Sequence, residues 1–150
     1  MTIRTDLLKT LSAHLRAGNL GHQKFDFSCF NRDIREGEQV PTAARTCGSN
    51  GCALGECPIV FPNDWRFGDN GLPCTGDTSE WRGAGHVFAD AAVFFGINVN
   101  ATEHLFNPEV QRPHTYGGRY LPEHASKEDV ADNIDAFLAL VASGLITETT

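Results

Sequence analysis

Thr46-Cys47-Gly48-Ser49-Asn50-Gly51-Cys52-Ala53-Leu54-Gly55 places Gly48, Gly51 and Gly55 among two thiols. Such a density of small residues permits a tight turn and a close approach by whatever packs on it. Cysteine without a disulfide partner behaves as a small, buried hydrophobe, so Cys47 and Cys52 read as filling the space beneath the turn. Residues Cys52 to Glu56 then suit a short helix that Pro58 terminates. The expectation is that this turn seats the second long helix of the chain against the core.

Downstream, Ser79 is the expected N-cap of that helix, which runs to about Phe95 and stops at Gly96. Val87, Phe88, Ala91, Ala92, Phe94 and Phe95 give it a wide apolar face. Asn100-Ala101-Thr102-Glu103 has the form of a capping box and predicts a shorter helix carrying Leu105 and Phe106, closed by Pro108. Ser126 with Asp129 opens the last helix, in which Val130, Ile134, Phe137, Leu138 and Val141 fall at helical spacing before Gly144. Its other face carries Glu128, Asp132 and Asp135, an acidic ridge that reads as solvated surface or, more sharply, as a face for a basic partner.

Upstream, Ile3, Leu7, Leu8, Leu11 and Leu15 predict an amphipathic helix over residues 3–17, stopped by Gly18. Ile59-Val60-Phe61 and Trp65-Arg66-Phe67 have strand-type side chains, and Asp69-Asn70-Gly71 supplies a turn, so a small hairpin is expected there. The resulting fold class is α+β with helix dominant: three principal helices and a small β-hairpin in one domain spanning 1–150, with 145–150 a short exposed tail.

A chain of 150 residues matches the common size of a single domain. Nineteen acidic against twelve basic residues give a net charge of -7, the wrong sign for neutralising phosphates, which disfavours nonspecific nucleic-acid binding. The apolar run from Ala91 to Val99 is broken by Gly96 and Asn98, so no membrane span is expected. Asp6, Lys9, His14 and Arg16 interrupt the apolar stretch that an export signal requires, and a cytoplasmic location follows as the expectation. The cysteines are Cys29, Cys47, Cys52, Cys57 and Cys74, an odd set without an export signal, which points to thiols rather than a disulfide framework.

Cys47-Gly48-Ser49, Cys52 and Gly55 together make the pattern C-G-[ST]-x-x-C-x-x-G. In this the chain resembles a group of small uncharacterised proteins encoded by tailed bacteriophages and bacteria. In that group the pattern precedes an apolar helix and a C-terminal amphipathic helix, which Phe94-Phe95-Gly96-Ile97, Leu105-Phe106 and Ser126 to Gly144 are similar to. Residues 107–125 stand as an added loop by that comparison. The resemblance implies an origin in phage or mobile-element biology and implies no chemistry.

Three roles suit the cysteine segment. Packing is the first and the one adopted. In the second, Cys52 is a nucleophile whose thiolate gains from a helix N-terminus, with His86 as base and Asp90 one helical turn on to orient it. The third is zinc, held by Cys47, Cys52 and Cys57 with Cys74 or His86 as fourth ligand. Helical geometry counts against zinc, because five residues turn the chain by about 500° and leave Cys52 and Cys57 about 140° apart. No cofactor is therefore favoured.

The expected function is that of a noncatalytic accessory protein binding a host protein or small ligand. The contact is expected through the turn-rich loop Pro113 to Pro122, the Trp65 region or the acidic last helix, with Trp65, Tyr116, Arg119 and Tyr120 as contact residues. The competing expectation is a cysteine-dependent hydrolase or transferase using Cys52. The sequence carries no signature of oligomeric state.

Overall fold

Helix α1 (Thr5–Ala17) forms around the stripe of Leu8, Leu11 and Leu15, all buried, with Asp6 in its first turn. It stops at Gly18, whose φ of 80° is a left-handed conformation that glycine adopts without strain. The computed structural model describes residues 2–21, 24–27, 32–33, 49–68, 71–75 and 84–147. Cys29, Cys47, Ser79 and the Thr46–Gly48 part of the glycine turn lie outside these.

The stripe of α1 lies against the last helix, labelled α6 (Lys127–Ala142), in the most extensive packing between any two elements described. Helix α6 opens as its sequence predicts: the Ser126 side chain accepts from the Asp129 N–H, and the Asp129 carboxylate accepts from the Ser126 N–H. Its buried residues include Val130, Ile134, Phe137 and Leu138.

The acidic ridge needs correcting as a free docking face. Arg16 on α1 donates to Asp132 at 2.7 Å and to Asp135 at 2.6 Å, and the Ser12 hydroxyl donates to Asp135 at 2.8 Å. Glu128 is paired with Lys127. Asp132 and Asp135 are thus tied to α1 through one shared guanidinium, while all three ridge side chains stay about half exposed, as a solvated face does.

Two further helices pack beside this pair. Helix α3 (Ala84–Phe95) ends at Gly96, and α4 (Val99–Phe106) follows directly. The N-cap of α4 is Asn98, whose side chain accepts from Ala101 N–H at 2.8 Å, and not Asn100. Burial of Ile97 and Ala101 draws the start of the helix two residues back, which leaves Asn100 exposed on its surface.

Strands are short. Strands β1 (Lys24–Phe25), β2 (Arg32–Asp33) and β3 (Ser49–Gly51) form a sheet in the order β1-β3-β2, with Lys24 parallel to Asn50 and Arg32 antiparallel to it. Strands β4 (Trp65–Phe67) and β5 (Pro73–Thr75) form an antiparallel pair, Trp65 opposite Thr75 and Phe67 opposite Pro73. Trp65–Phe67 therefore pairs with Pro73–Thr75 and not with Ile59–Phe61, while Asp69 and Asn70 of the expected turn lie outside the described residues.

Ile59 and Val60 are not a strand. They belong to α2 (Cys57–Val60), which follows a 3₁₀ turn at Leu54–Glu56. Pro58 sits in the first turn of α2, where its missing N–H is not needed and its fixed φ suits the helix. It opens a helical turn instead of ending one.

Above this segment lies an aromatic cluster. The Phe94 ring meets Phe61 at 5.0 Å, Trp65 at 5.7 Å and Phe95 at 5.0 Å, each edge to face, and Phe95 stacks on Phe106 at 5.9 Å. Such pairs add about 0.5–1.5 kcal/mol each beyond the area they bury. At the other end, Leu145 is exposed, whereas the Ile146 N–H returns to the Leu140 carbonyl at 3.2 Å and its side chain packs partly on the core. Ile146 thus belongs to the packed chain, and residues 148–150 of the expected tail lie outside the described residues.

The described structure is helix-rich with small sheets, in keeping with the α+β expectation. No described helix is long and apolar enough to cross a membrane.

Candidate functional site

Cys52, Cys57 and Cys74 are interior residues, exposed by 2%, 0% and 6%. Burial pushes the Cys52 thiol up to about 12, and the negative charge of Glu56 acts in the same direction. The backbone N–H groups of Gly55 and Leu54 favour the thiolate, as a helix terminus should, but desolvation outweighs them. Cys57 is raised well above the ordinary thiol value, first by burial and then by Cys52 and Glu56, and its Sγ donates to the Ala53 carbonyl at 3.7 Å.

The expected partners of Cys52 both lie on α3. His86 is exposed on α3, and Asp90 accepts the Thr75 N–H at 3.1 Å, tying β5 to that helix. A thiol at about 12 is ionised to the extent of about 10⁻⁵ at neutral pH. Iodoacetamide at pH 7.5 is accordingly expected to leave Cys52 intact while an exposed thiol is alkylated to completion. Alkylation of the folded protein at Cys52 at the rate of an exposed thiol would restore the nucleophile reading. Cys47 lies outside the described residues, and among those described no three His, Cys, Asp or Glu side chains gather as metal ligands do.

Beside the thiols lies a group that spacing did not reveal. Glu56 is 0% exposed, and its Oε1 accepts from Gly21 N–H at 2.7 Å and lies 2.8 Å from His14 Nε2 on α1. The carboxylate thereby anchors the chain just beyond α1 to the 3₁₀ turn. Gly21 is required for this approach, because a Cβ there would come within 3.0 Å of the Ile59 side chain. The one signal in the sequence is a lone acid inside the otherwise apolar run Cys52 to Val60.

A second arrangement surrounds the turn-rich loop. The short helix α5 (Pro113–Tyr116) occupies its first part, and Gly117 and Gly118 follow with φ of 86° and 74°. The Gln111 side chain closes the neck, accepting from Leu121 N–H at 2.5 Å and donating to Leu121 O at 2.6 Å. Asn133 of α6 holds the far side in the same manner, accepting from Arg119 N–H at 3.1 Å and donating to Arg119 O at 2.9 Å. His104 of α4 bonds Arg112 N–H at 2.7 Å and Gly117 O at 2.9 Å. A loop of this size, joined at its neck and propped from inside, has the anatomy of an Ω-loop.

The expected contact residues divide into two groups. Trp65 (2% exposed) and Tyr116 (7%) are interior, which corrects the expectation that they offer a contact surface. The Trp65 ring lies against Phe94, and among the described residues its Nε1–H has no acceptor. The Tyr116 hydroxyl donates to Asn98 Oδ1 at 3.4 Å, and its ring lies 5.7 Å from His104 and 6.3 Å from Phe137. A large ring with one polar handle is stabilised by such burial. Arg119 and Tyr120 are on the surface: Arg119 pairs with Asp129, and Tyr120 is 64% exposed.

Comparison of the chain with protein-family models, with curated proteins and with solved structures finds no match.

Proposed function

We propose that the protein is a noncatalytic accessory protein of phage or mobile-element type that binds a host protein or small ligand through Arg119 and Tyr120. The observation that carries this reading is an exposed tyrosine on a loop whose backbone is held by three side chains, the buried His104 and Asn133 and the half-buried Gln111. Holding a loop in one conformation removes much of the ordering cost of association. Tyrosine and arginine are the side chains that most often dominate binding energy. The burial of Cys52 supports a binding role over a thiol-based reaction. The assignment to phage or mobile-element biology rests on the resemblance carried by Cys47, Gly48, Ser49, Cys52 and Gly55.

Tyr120 is largely exposed, so Tyr120→Ala is expected to change stability by less than about 0.5 kcal/mol. It is expected to weaken the interaction at least about tenfold. The check is affinity capture from the natural host with wild-type and Y120A protein, followed by titration of the recovered partner. Identical capture and affinity for the two proteins rejects this contact surface.

A further inference from the structure

The loop between Gln111 and Leu121 is held by two amides and one imidazole, and only the imidazole titrates in the physiological range. His104 Nδ1 faces the Arg112 N–H, so it carries a lone pair, and Nε2 faces the Gly117 carbonyl, so it carries the proton. These partners at 2.7 and 2.9 Å fix one neutral tautomer. A second proton can go only to Nδ1, where it would point straight at the Arg112 N–H.

We infer that His104 is an acid-operated latch: protonation at Nδ1 breaks its bond to Arg112 and releases residues 112–120, so that presentation of Arg119 and Tyr120 is switched by pH. The inference rests on reading that loop as the contact surface. The Gln111–Leu121 pair keeps the neck closed, which makes the release local.

Among the described residues, the surroundings offer a second proton no carboxylate to offset its charge. Helix α5 faces the imidazole with the Tyr116 ring and with the backbone, not the guanidinium, of Arg112, while its His114 is exposed. Helix α6 supplies Phe137 and Asn133 to the same region, and its acids Asp129, Asp132 and Asp135 bond Arg119 and Arg16. On α4 itself, Glu103 is displaced by about 100° around the axis. Burial is the larger influence on His104 and lowers its pKa below the ordinary value, opposed by the Gly117 carbonyl.

With the loop open, the solvated imidazole titrates near ~6.5; closed, it titrates lower. The open form therefore binds more protons between those two values. The latch is fully set above about 6.5, and the ratio of open to closed rises by up to about tenfold per pH unit as pH falls through the window.

Backbone amide exchange of the full chain, corrected for the intrinsic pH dependence of exchange, tests this between pH 7.5 and 5, with imidazole ¹⁵N shifts reporting the tautomer. Protection at Arg112, Gly117 and Arg119 is expected to hold down to about pH 6.5 and then to fall by up to about tenfold per unit, while Ile134 and Phe137 keep theirs. His104→Gln, which has no proton to gain, is expected to show loop protection that does not vary with pH. Should that variant fail to fold, the wild-type comparison still decides. Loop protection unchanged at pH 5, or lost in step with Ile134, overturns the latch. Exchange reads the loop itself, so this failure leaves the contact reading untouched, just as binding indifferent to Tyr120 would leave the latch untouched.

Discussion

Gly96→Ala is expected to destabilise the protein by about 3–5 kcal/mol, the largest effect of any single methyl addition in the described chain. Two separate penalties meet at this position. Gly96 has a φ of 70°, which costs a residue with a Cβ about 1–2 kcal/mol. The added carbon would also come within 3.0 Å of the Thr2 carbonyl oxygen and carbon, and a backbone group cannot rotate away as a side chain end can. Relief requires lifting residues 2–4 off the end of α3. That exposes Ile3, now 8% accessible, and breaks the Arg4 N–H bond to the Phe95 carbonyl at 2.8 Å. Gly18→Ala is the control, since Gly18 has a φ of 80° but open space where its Cβ would lie, and about 1 kcal/mol is expected there. Urea denaturation of the two variants measures the difference. Equal losses would show that the N-terminal segment does not press on Gly96.

His14→Ala is expected to cost about 3 kcal/mol in the same assay. Glu56 is fully enclosed, and removing the imidazole takes one hydrogen-bond partner from its carboxylate. The Gly21 N–H remains, which sets the effect at the low end for a broken buried pair. Adding Glu56→Gln to His14→Ala neutralises the stranded group and is expected to recover more than half of the loss. A His14→Ala variant within about 0.5 kcal/mol of wild type would remove Glu56 as an anchor.

Local signals were legible where one element satisfied itself. Ser126 and Asp129 cap α6 as read, the leucines of α1 face inward, and Gly18 and Gly96 stop their helices because each stop needs only its own backbone conformation. Ile59 and Val60 misled because strand propensity reports fit to a pleated surface, and here Pro58 sets a helical turn before any strand partner is met. Asn98 and Asn100 are equivalent as letters, and only the burial of Ile97 decides which of them caps α4.

The site was less legible than the fold for a related reason. Glu56 and His14 meet across 42 positions. His104, Gln111 and Asn133 act on backbone groups, which every residue possesses, so their targets leave no mark in the side-chain sequence. The turn formers of 113–122 correctly placed Arg119 and Tyr120 outside, whereas Tyr116 was lost to the interior once its hydroxyl found Asn98.

The union of α1 with α6 has a consequence during synthesis. Ser12 and Asp135 are joined across 123 positions, so a nascent chain emerging at about 5–20 residues per second carries its first helix for roughly 6–25 s before the partner exists. Through that interval Leu8, Leu11 and Leu15 lack the element that packs most extensively on them. An apolar stripe left waiting in this way is a surface for aggregation or chaperone capture, so the yield of folded chain is expected to depend on how quickly the last helix follows the first.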